Sequence, residues 1–394
     1  MNFTLVCDIM MDLEGSIRPA MYIARELNAR GHSVSMMSPI MSREVEARLD
    51  GLGIIPVNLH ARLAAGSSGI SMLWLETWAR EAFLRLNSRH AIDESSRVIN
   101  FSQVISVPSL IWYLQGPPSL ALKDMEKELS HGFRIIYDLV RPVIDYADVK
   151  LASRMDRRST LVIANSKFCA SMYSNFGVKT DCVIYPPIDC QTFRPSTSTP
   201  FSDYALTYFG KETKFSVVKN VADSGLKIKA FGSKTPFIPE GLLKHPDVEF
   251  LGRVSTKELV DLYSNALFTV FPFTHEPFGY VPLESMACGT PVLTYDLQGP
   301  SEYVVNAHTG WLVRTDEELV QKSIELWKEE YPSQTRTNCV KAALKFDKRP
   351  YIKQWMEILG KLCEDRTVFQ RYKDQNSNAK LKALTHKEEL RVFS

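Results

Sequence analysis

The chain has 394 residues, 45% of them hydrophobic, which suits two domains with large cores. Lysine and arginine number 47 against 45 acidic residues, so no global positive field argues for a nucleic acid partner. Seven cysteines are dispersed without a C-x-x-C pair and read as reduced and cytoplasmic, no apolar run reaches the length of a membrane span, and an N-terminus with Asp8 and Asp12 does not read as a signal peptide.

Residues 3–9 read as a buried strand, 12–16 as a polar turn with Gly15, 19–29 as an amphipathic helix ending at Gly31, and 32–38 as the next strand. This strand–loop–helix–strand opening is what a Rossmann-like domain needs. A helix over 42–52 and a strand over 54–57 follow. The flexible run GSSG, residues 66–69, then leads into MLWLETWAREAFLRLNSRH. There Leu73, Trp74, Trp78, Phe83 and Leu84 form a broad apolar face edged by Arg80, Arg85 and Arg89. The plain reading is a helix packed on the sheet. The alternative is a helix lying on a membrane or lining a groove for a lipid acceptor, because aromatic and basic residues together are an interfacial composition. Residues 97–102 and 109–115 supply strands or strand ends, 123–131 and 133–147 are helical, and 161–165 is a strand. Ser166 caps a helix that runs to Phe176, and the run from Pro186 to Asp189 starts a linker.

The Ser/Thr/Pro-rich stretch 195–203 is the clearest shift of composition, so a second domain starts at Tyr204. A strand over 205–209 ends at Gly210, a helix covers 215–223, and a strand covers 227–231. The strand 248–251 ends in Gly252 and Arg253, and Ser255 caps a helix over 257–265. The stretch ALFTVFPFTHEPFGYVPLESMACGTPVLTYDLQG, residues 266–299, is the centre of the chemistry. Its apolar run 267–273 reads as a buried parallel strand. Thr274 to Pro277 end the strand, Gly279 and Pro282 prepare a helix over 283–287, and Gly289 and Pro291 stop it before a strand over 292–295. A polar loop at the carboxyl end of a strand in such a unit is where open α/β sheets bind ligands. Glu276 and Glu284 stand there in an E-x7-E spacing. Carboxylates only accept, which suits a ligand presenting hydroxyls, and free amides around Phe278 and Gly279 suit an anion. The plain reading of Glu284 is a first-turn glutamate favoured by the helix dipole. Gly299 to Glu302 start another helix, 310–313 is a strand, 317–329, 341–346 and 349–363 are helical, and the tail from Glu364 is polar.

EPFGYVPLE, followed by ACGTPVL and GPSEYV, resembles the donor-site signature of family 4 glycosyltransferases. The similarity is strongest over 163–313, where IANS, NFGV and VIYPPIDCQTFRP resemble the last strand–helix–strand of that family's first domain. The resemblance implies an α/β fold of the GT-B kind, two Rossmann-like domains facing across a cleft. Residues 1–195 would form the acceptor side, 196–345 would bind the nucleotide-sugar, and helices within 346–375 would cross back toward the first domain. It also implies roles. Glu276 would touch the transferred sugar, the Phe278–Gly279 backbone would hold sugar and diphosphate, and Glu284 would bind the ribose. After Gly210 the family places an arginine and then a lysine that neutralise the departing diphosphate, where negative charge builds as the glycosidic bond breaks. Here Lys211 stands at the first position, with Lys214 the nearest second base and Lys219 the other option. Arg253 belongs to the segment that packs beside the base. The family's paired glycines in the first loop, near the diphosphate or acceptor, are replaced by Glu14 and Gly15. The family's first-domain histidine has no counterpart between His90 and His131; Ser102, Gln103 and Ser106 stand in that neighbourhood.

The function this implies is retaining transfer of a hexose from a nucleotide-activated donor to a hydroxyl of a sugar, a glycan or a lipid-linked acceptor. No cofactor is expected. No dense Asp/Glu/His cluster and no D-x-D near a strand end appear, so a metal-independent site is favoured. The alternatives are a non-catalytic sugar- or nucleotide-binding protein of the same fold, or a GT-B phosphorylase or epimerase. Expected partners are the donor, the acceptor and a membrane surface, with a cytoplasmic location that includes a peripheral position at the inner membrane face.

Overall fold

The structure is a computed structural model. It describes residues 1–364 apart from 14, 62–69, 84–91, 93–94, 126–130, 199, 202, 211, 234–237, 274 and 330. Apolar runs without polar alternation become strands buried on both faces, as parallel sheets covered by helices require. In the first domain these are β1 (Asn2–Val6), β2 (Ser33–Ser38), β3 (Ile55–Asn58), β4 (Arg97–Asn100), β5 (Ser109–Leu114), β6 (Ser159–Ala164) and β7 (Cys182–Val183). All pairings are parallel, in the order β3-β2-β1-β4-β5-β6-β7. The helices are α1 (Arg18–Ala29), α2 (Arg43–Gly51), α3 (Ile70–Phe83), α4 (Pro118–Met125), α5 (His131–Asp156) and α6 (Lys167–Ser174).

The second domain repeats the plan. Strands β8 (Ala205–Phe209), β9 (Ile228–Gly232), β10 (Val248–Gly252), β11 (Phe268–Phe271), β12 (Val292–Tyr295) and β13 (Gly310–Val313) form a second parallel sheet in the order β10-β9-β8-β11-β12-β13. Its helices are α7 (Phe215–Asp223), α8 (Glu240–Leu243), α9 (Thr256–Asn265), α10 (Tyr280–Ala287), α11 (Asp316–Lys328) and α12 (Gln334–Ala343). The chain thus has two doubly wound Rossmann-like sheets. Strand order reverses beside β1 in one and beside β8 in the other, and such reversals open the crevices that bind ligands. The loops after β8 and β11 share the second crevice.

The structure lengthens one expected helix and decides which way the tryptophans of another point. The expected helix over 133–147 extends to Asp156 and carries Pro142 inside it. Ile135, Leu139, Val143 and Tyr146 lie exposed along this α5. The aromatic helix α3 does not present its tryptophans outward. Trp78 is buried and donates its indole N–H to Asp148 Oδ1 at 3.2 Å, while Trp74 donates to Asp8 Oδ2 at 3.3 Å. Leu73, Trp78 and Ala82 of α3 are therefore buried in the first domain, where each indole N–H finds an acceptor, while Phe83 at the end of the helix is exposed. Leu84, Arg85 and Arg89 lie outside the described residues.

After α12 the chain returns to the first domain. Ile188 bridges Asp347 in parallel, and Lys348 Nζ meets Asp189 Oδ2 at 2.8 Å. The last helix, α13 (Lys348–Glu364), places Tyr351, Trp355 and Leu359 in the first domain's core, with Trp355 stacked on Phe101 at 5.3 Å between ring centroids. Among the described residues no helix is long and apolar enough to cross a membrane.

Candidate active site

The polar loop 272–279 leaves β11 at the reversal point of the second sheet, and α10 begins at Tyr280, three residues earlier than the sequence suggested. Gly279 precedes it with φ +94°, a backbone state that side chains rarely adopt. A Cβ there would lie 2.9 Å from Pro300 Cγ and 2.9 Å from the Tyr303 hydroxyl. Residues 299–303 clamp the loop from behind. The Tyr303 hydroxyl donates to Gly279 O at 2.6 Å, and Gly299 N donates to Glu276 O at 3.0 Å.

The early helix start moves Glu284 out of the first turn and into a buried position. A dipole contact with the first turn therefore does not account for it. Its partners do. Arg18 Nη1 donates to Glu284 Oε1 at 2.5 Å, and the Tyr263 hydroxyl donates to Oε2 at 3.3 Å. Arg18 is the first residue of α1, so this ion pair joins the two domains, and its guanidinium lies 4.9 Å from the centre of the Tyr280 ring. Sequence reading missed Arg18. The available signal was its position: a cation in a helix's first turn is disfavoured by the dipole and needs another partner.

Glu276 is partly buried, and burial reinforced by the nearby Glu212 pushes its carboxyl up to about 7, against the pull of the Phe278 and Gly279 amides. Those amides were expected to be open to an anion. Instead Phe278 N donates to Glu276 Oε1 at 3.2 Å, so the loop turns its donors on its own carboxylate. The Phe278 ring is buried against Tyr303 and Tyr185, leaving only backbone for a ligand to meet.

The basic candidates separate. Gly210 is buried, its N–H donating to Thr213 Oγ1 at 2.9 Å, and a Cβ there would lie 2.6 Å from Tyr208 Cε1. Lys214 N donates to Pro272 O at 2.8 Å, which ties the start of α7 to the end of β11. The Lys214 side chain turns elsewhere, with Nζ 2.7 Å from Asp316 Oδ1 and 4.5 Å from the Tyr295 ring centre. Lys219 pairs with Asp223 on the exposed surface of α7 at 2.6 Å. Lys211 and Glu14 lie outside the described residues. Arg253 is exposed and donates to Ser233 Oγ at 2.9 Å, and Gly15 is exposed, with φ +57°, at the start of a short 3-10 helix, Gly15–Ile17. Among the described residues no three His, Cys, Asp or Glu side chains gather as a metal site.

The first domain closes directly on this loop. The Ser166 hydroxyl, which also caps α6, donates to Pro277 O at 2.6 Å. Gly116, with φ +129°, leaves room for Pro277 Cγ, which would stand 2.7 Å from a Cβ. Glu302 reaches across to the start of α6, accepting from Lys167 N at 3.0 Å, Phe168 N at 2.6 Å and the Tyr185 hydroxyl at 2.8 Å. A carboxylate at a helix N-terminus satisfies free amides and the dipole together. In the neighbourhood lacking the histidine, the Ser102 hydroxyl bonds Asp8 and Gln103 Oε1 accepts from the Tyr173 hydroxyl at 2.7 Å, so both brace the β4–β5 connection. Ser106 O accepts from Arg158 Nη1 at 2.7 Å.

Comparison with known proteins places the loop in a family segment. Residues 240–346 match the family Glycosyl transferases group 1. The matched segment contains Glu276, Gly279, Glu284 and Glu302. The chain is 39% identical over 87 residues to the Alpha-1,3/1,6-mannosyltransferase alg-2 of Neurospora crassa, covering 22% of this chain and 18% of that protein. It is 35% identical over 88 residues to a Glycogen synthase of Mycobacterium tuberculosis, covering 22% and 21%. The chain thus spans about a fifth of the length of these curated relatives. HepE of Anabaena, solved in complex with UDP, superimposes with a TM-score of 0.63 at 17% identity, covering 91% of this chain and 100% of that one. The shared architecture is the GT-B fold, and the sheet orders above are its two halves.

Proposed function

We propose that this protein is a retaining glycosyltransferase that moves a hexose from a nucleotide-activated donor to a hydroxyl of a sugar, a glycan or a lipid-linked acceptor. The observation that carries the reading is the placement of Glu276 and Glu284 on one loop–helix unit at a sheet reversal point, roofed by the first domain. Glu284 accepts from the ribose hydroxyls once Arg18 releases it, and Glu276 accepts from hydroxyls of the transferred sugar. The diphosphate lies between them, near the start of α10, and Lys211 meets the negative charge that grows on the leaving phosphate. Lys214 contributes through its backbone, since its ammonium is held by Asp316. The acceptor enters from the first domain, and its hydroxyl attacks the anomeric carbon on the face the diphosphate leaves, its proton passing to the departing diphosphate as the bond from the anomeric carbon to the phosphate oxygen breaks, which retains the anomeric configuration.

Solved GT-B proteins with UDP and UDP-glucose bound support a nucleotide-sugar as the donor class. A membrane-bound acceptor stays within the reading, although Trp74 and Trp78 of α3 are engaged inside the domain and do not supply its anchor. The test is release of nucleoside diphosphate from a panel of UDP-, GDP- and ADP-sugars, with and without lipid extract, followed by NMR of the product's anomeric proton. Saturable nucleotide binding without release or transfer would make this a binding protein. An inverted product would remove the same-face mechanism.

A further inference from the structure

We propose that the protein has a second anion site, on the seam between its domains, which takes a phosphate group from a molecule other than the donor. A cavity of about 210 Å³ opens there, lined by Arg18, Tyr22 and Arg25 of α1, Arg48 of α2, Phe193 of the interdomain segment and Thr256 at the start of α9. Residues 18, 22 and 25 are spaced by four and three, so α1 presents them on one face. Arg48 stands in the last turn of α2 and completes the cluster from a second helix. Asp189 also lines the cavity, but Lys348 holds its carboxylate at 2.8 Å, which leaves the arginines in excess. Arg25 and Arg48 are exposed and have no hydrogen-bond or ion-pair partner among the described residues.

Guanidinium groups converging from two helices suit a phosphate, which each can grip through paired N–H donors. The cavity is smaller than the roughly 300–1,000 Å³ typical of drug-sized ligands, so it suits the phosphate end of a molecule better than a whole nucleotide. Glu276, Gly279 and Lys214 do not line it, so it lies off the proposed diphosphate position, on the side of the proposed ribose and base positions that Arg18 and Thr256 approach. The two sites share one residue. Arg18 lines the cavity and also holds Glu284, so an anion in the cavity competes with Glu284 for the guanidinium and frees that carboxylate. This coupling rests on the reading of Glu284 as the ribose acceptor; the anion site itself does not.

The probe is inorganic pyrophosphate, titrated calorimetrically into the full chain with the donor site saturated by UDP, or by whichever nucleoside diphosphate the donor panel selects. Wild type should still bind pyrophosphate, and an Arg25→Ala, Arg48→Ala double variant should bind it at least tenfold more weakly while keeping its nucleoside diphosphate affinity. Both side chains are exposed, so the variant should fold. Equal pyrophosphate affinity in the two proteins, or complete loss of binding when the donor site is filled, overturns the proposal. Failure of nucleoside diphosphate to bind at all speaks against the donor reading instead, and pyrophosphate is then titrated alone against the same variant. Two sources of the phosphate separate in the transfer assay at saturating donor. A free effector is mimicked, so pyrophosphate stimulates transfer; a phosphate carried by the acceptor is displaced, so pyrophosphate raises the acceptor KM. A rate and a KM both untouched by pyrophosphate would overturn a role for the site in transfer.

Discussion

Glu276 has a carboxyl poised at about 7, raised from the ordinary value of 4.5 by burial and by Glu212. The folded chain therefore holds this proton more tightly than the unfolded chain does. Between those two values the native state binds more protons, so stability falls as pH rises through the interval and levels off above it. Chemical denaturation at pH 5 and pH 8 should show this loss in wild type, and Glu276→Gln should remove a part of the order of 1–3 kcal/mol. An unchanged pH slope in that variant would assign the loss to other groups. Glu284 makes a different prediction. Glu284→Ala should weaken nucleoside diphosphate binding by about 1–3 kcal/mol, the scale of a charged hydrogen-bonding group lost. Identical calorimetric affinity in a folded variant would take Glu284 out of the donor site. Both carboxylates were legible in the sequence, because loop, glycine and proline bracket them in an ordered motif. Their partners were not, since Arg18 lies 266 positions from Glu284 and only the docking of the two domains joins them.

At the scale of the element, caps and breakers made helices legible where they were present. Ser42, Ser166 and Ser255 each cap the helix that follows through the side-chain oxygen; Ser166 and Ser255 were visible as caps in the sequence, whereas Ser42 was read as the first residue of its helix. α10 lacks such a residue, and its start was misplaced because Gly279 does the work through backbone conformation alone. Gly279→Ala should accordingly cost about 1–3 kcal/mol, from a strained φ and from contact with Pro300 and Tyr303. A lowered melting temperature together with a weakened donor site is the expected pair of results, and a variant that melts like wild type would show that the loop can relax. The periodicity of α3 could not say which way its apolar face points, because a sheet and a lipid surface select the same residues. Burial decides it. Trp78→Ala should destabilise the fold by about 3–5 kcal/mol, as for large buried aromatics. Urea denaturation measures this, and a loss under 1 kcal/mol would reopen the outward reading of the helix.

At the scale of the whole molecule, the composition and the βαβ pattern made two Rossmann-like halves legible, but not how closely they approach. The first domain closes on the loop after β11, and the contacts across the seam include Arg18 with Glu284, Ser166 with Pro277 O, and Glu302 with the start of α6, beside the docking of α13 on the first domain. These contacts differ in what they ask of a ligand. The Arg18 pair occupies a carboxylate that the donor is proposed to use, so donor entry must break it. The Glu302 contact uses amides that no ligand is proposed to need, so it can hinge the domains while the first pair opens. Removing Glu302 should therefore shift the molecule toward an open form without touching the donor residues. A carboxylate accepting three donors across the seam contributes about 1.5–3 kcal/mol net of its exchange with water, as for hydrogen bonds to charged groups. Each 1.4 kcal/mol is a tenfold change in the closed-to-open ratio. Glu302→Ala is then expected to raise the radius of gyration measured by small-angle X-ray scattering and to lower kcat more than it raises the donor KM, because closure completes the site after the donor is held. Glu302→Gln keeps an acceptor at the α6 amides but loses the charge, so it should fall between the two. Scattering curves that superimpose for all three proteins would show that Arg18, Ser166 and the returning helix α13 close the seam unaided, and would remove Glu302 from the hinge.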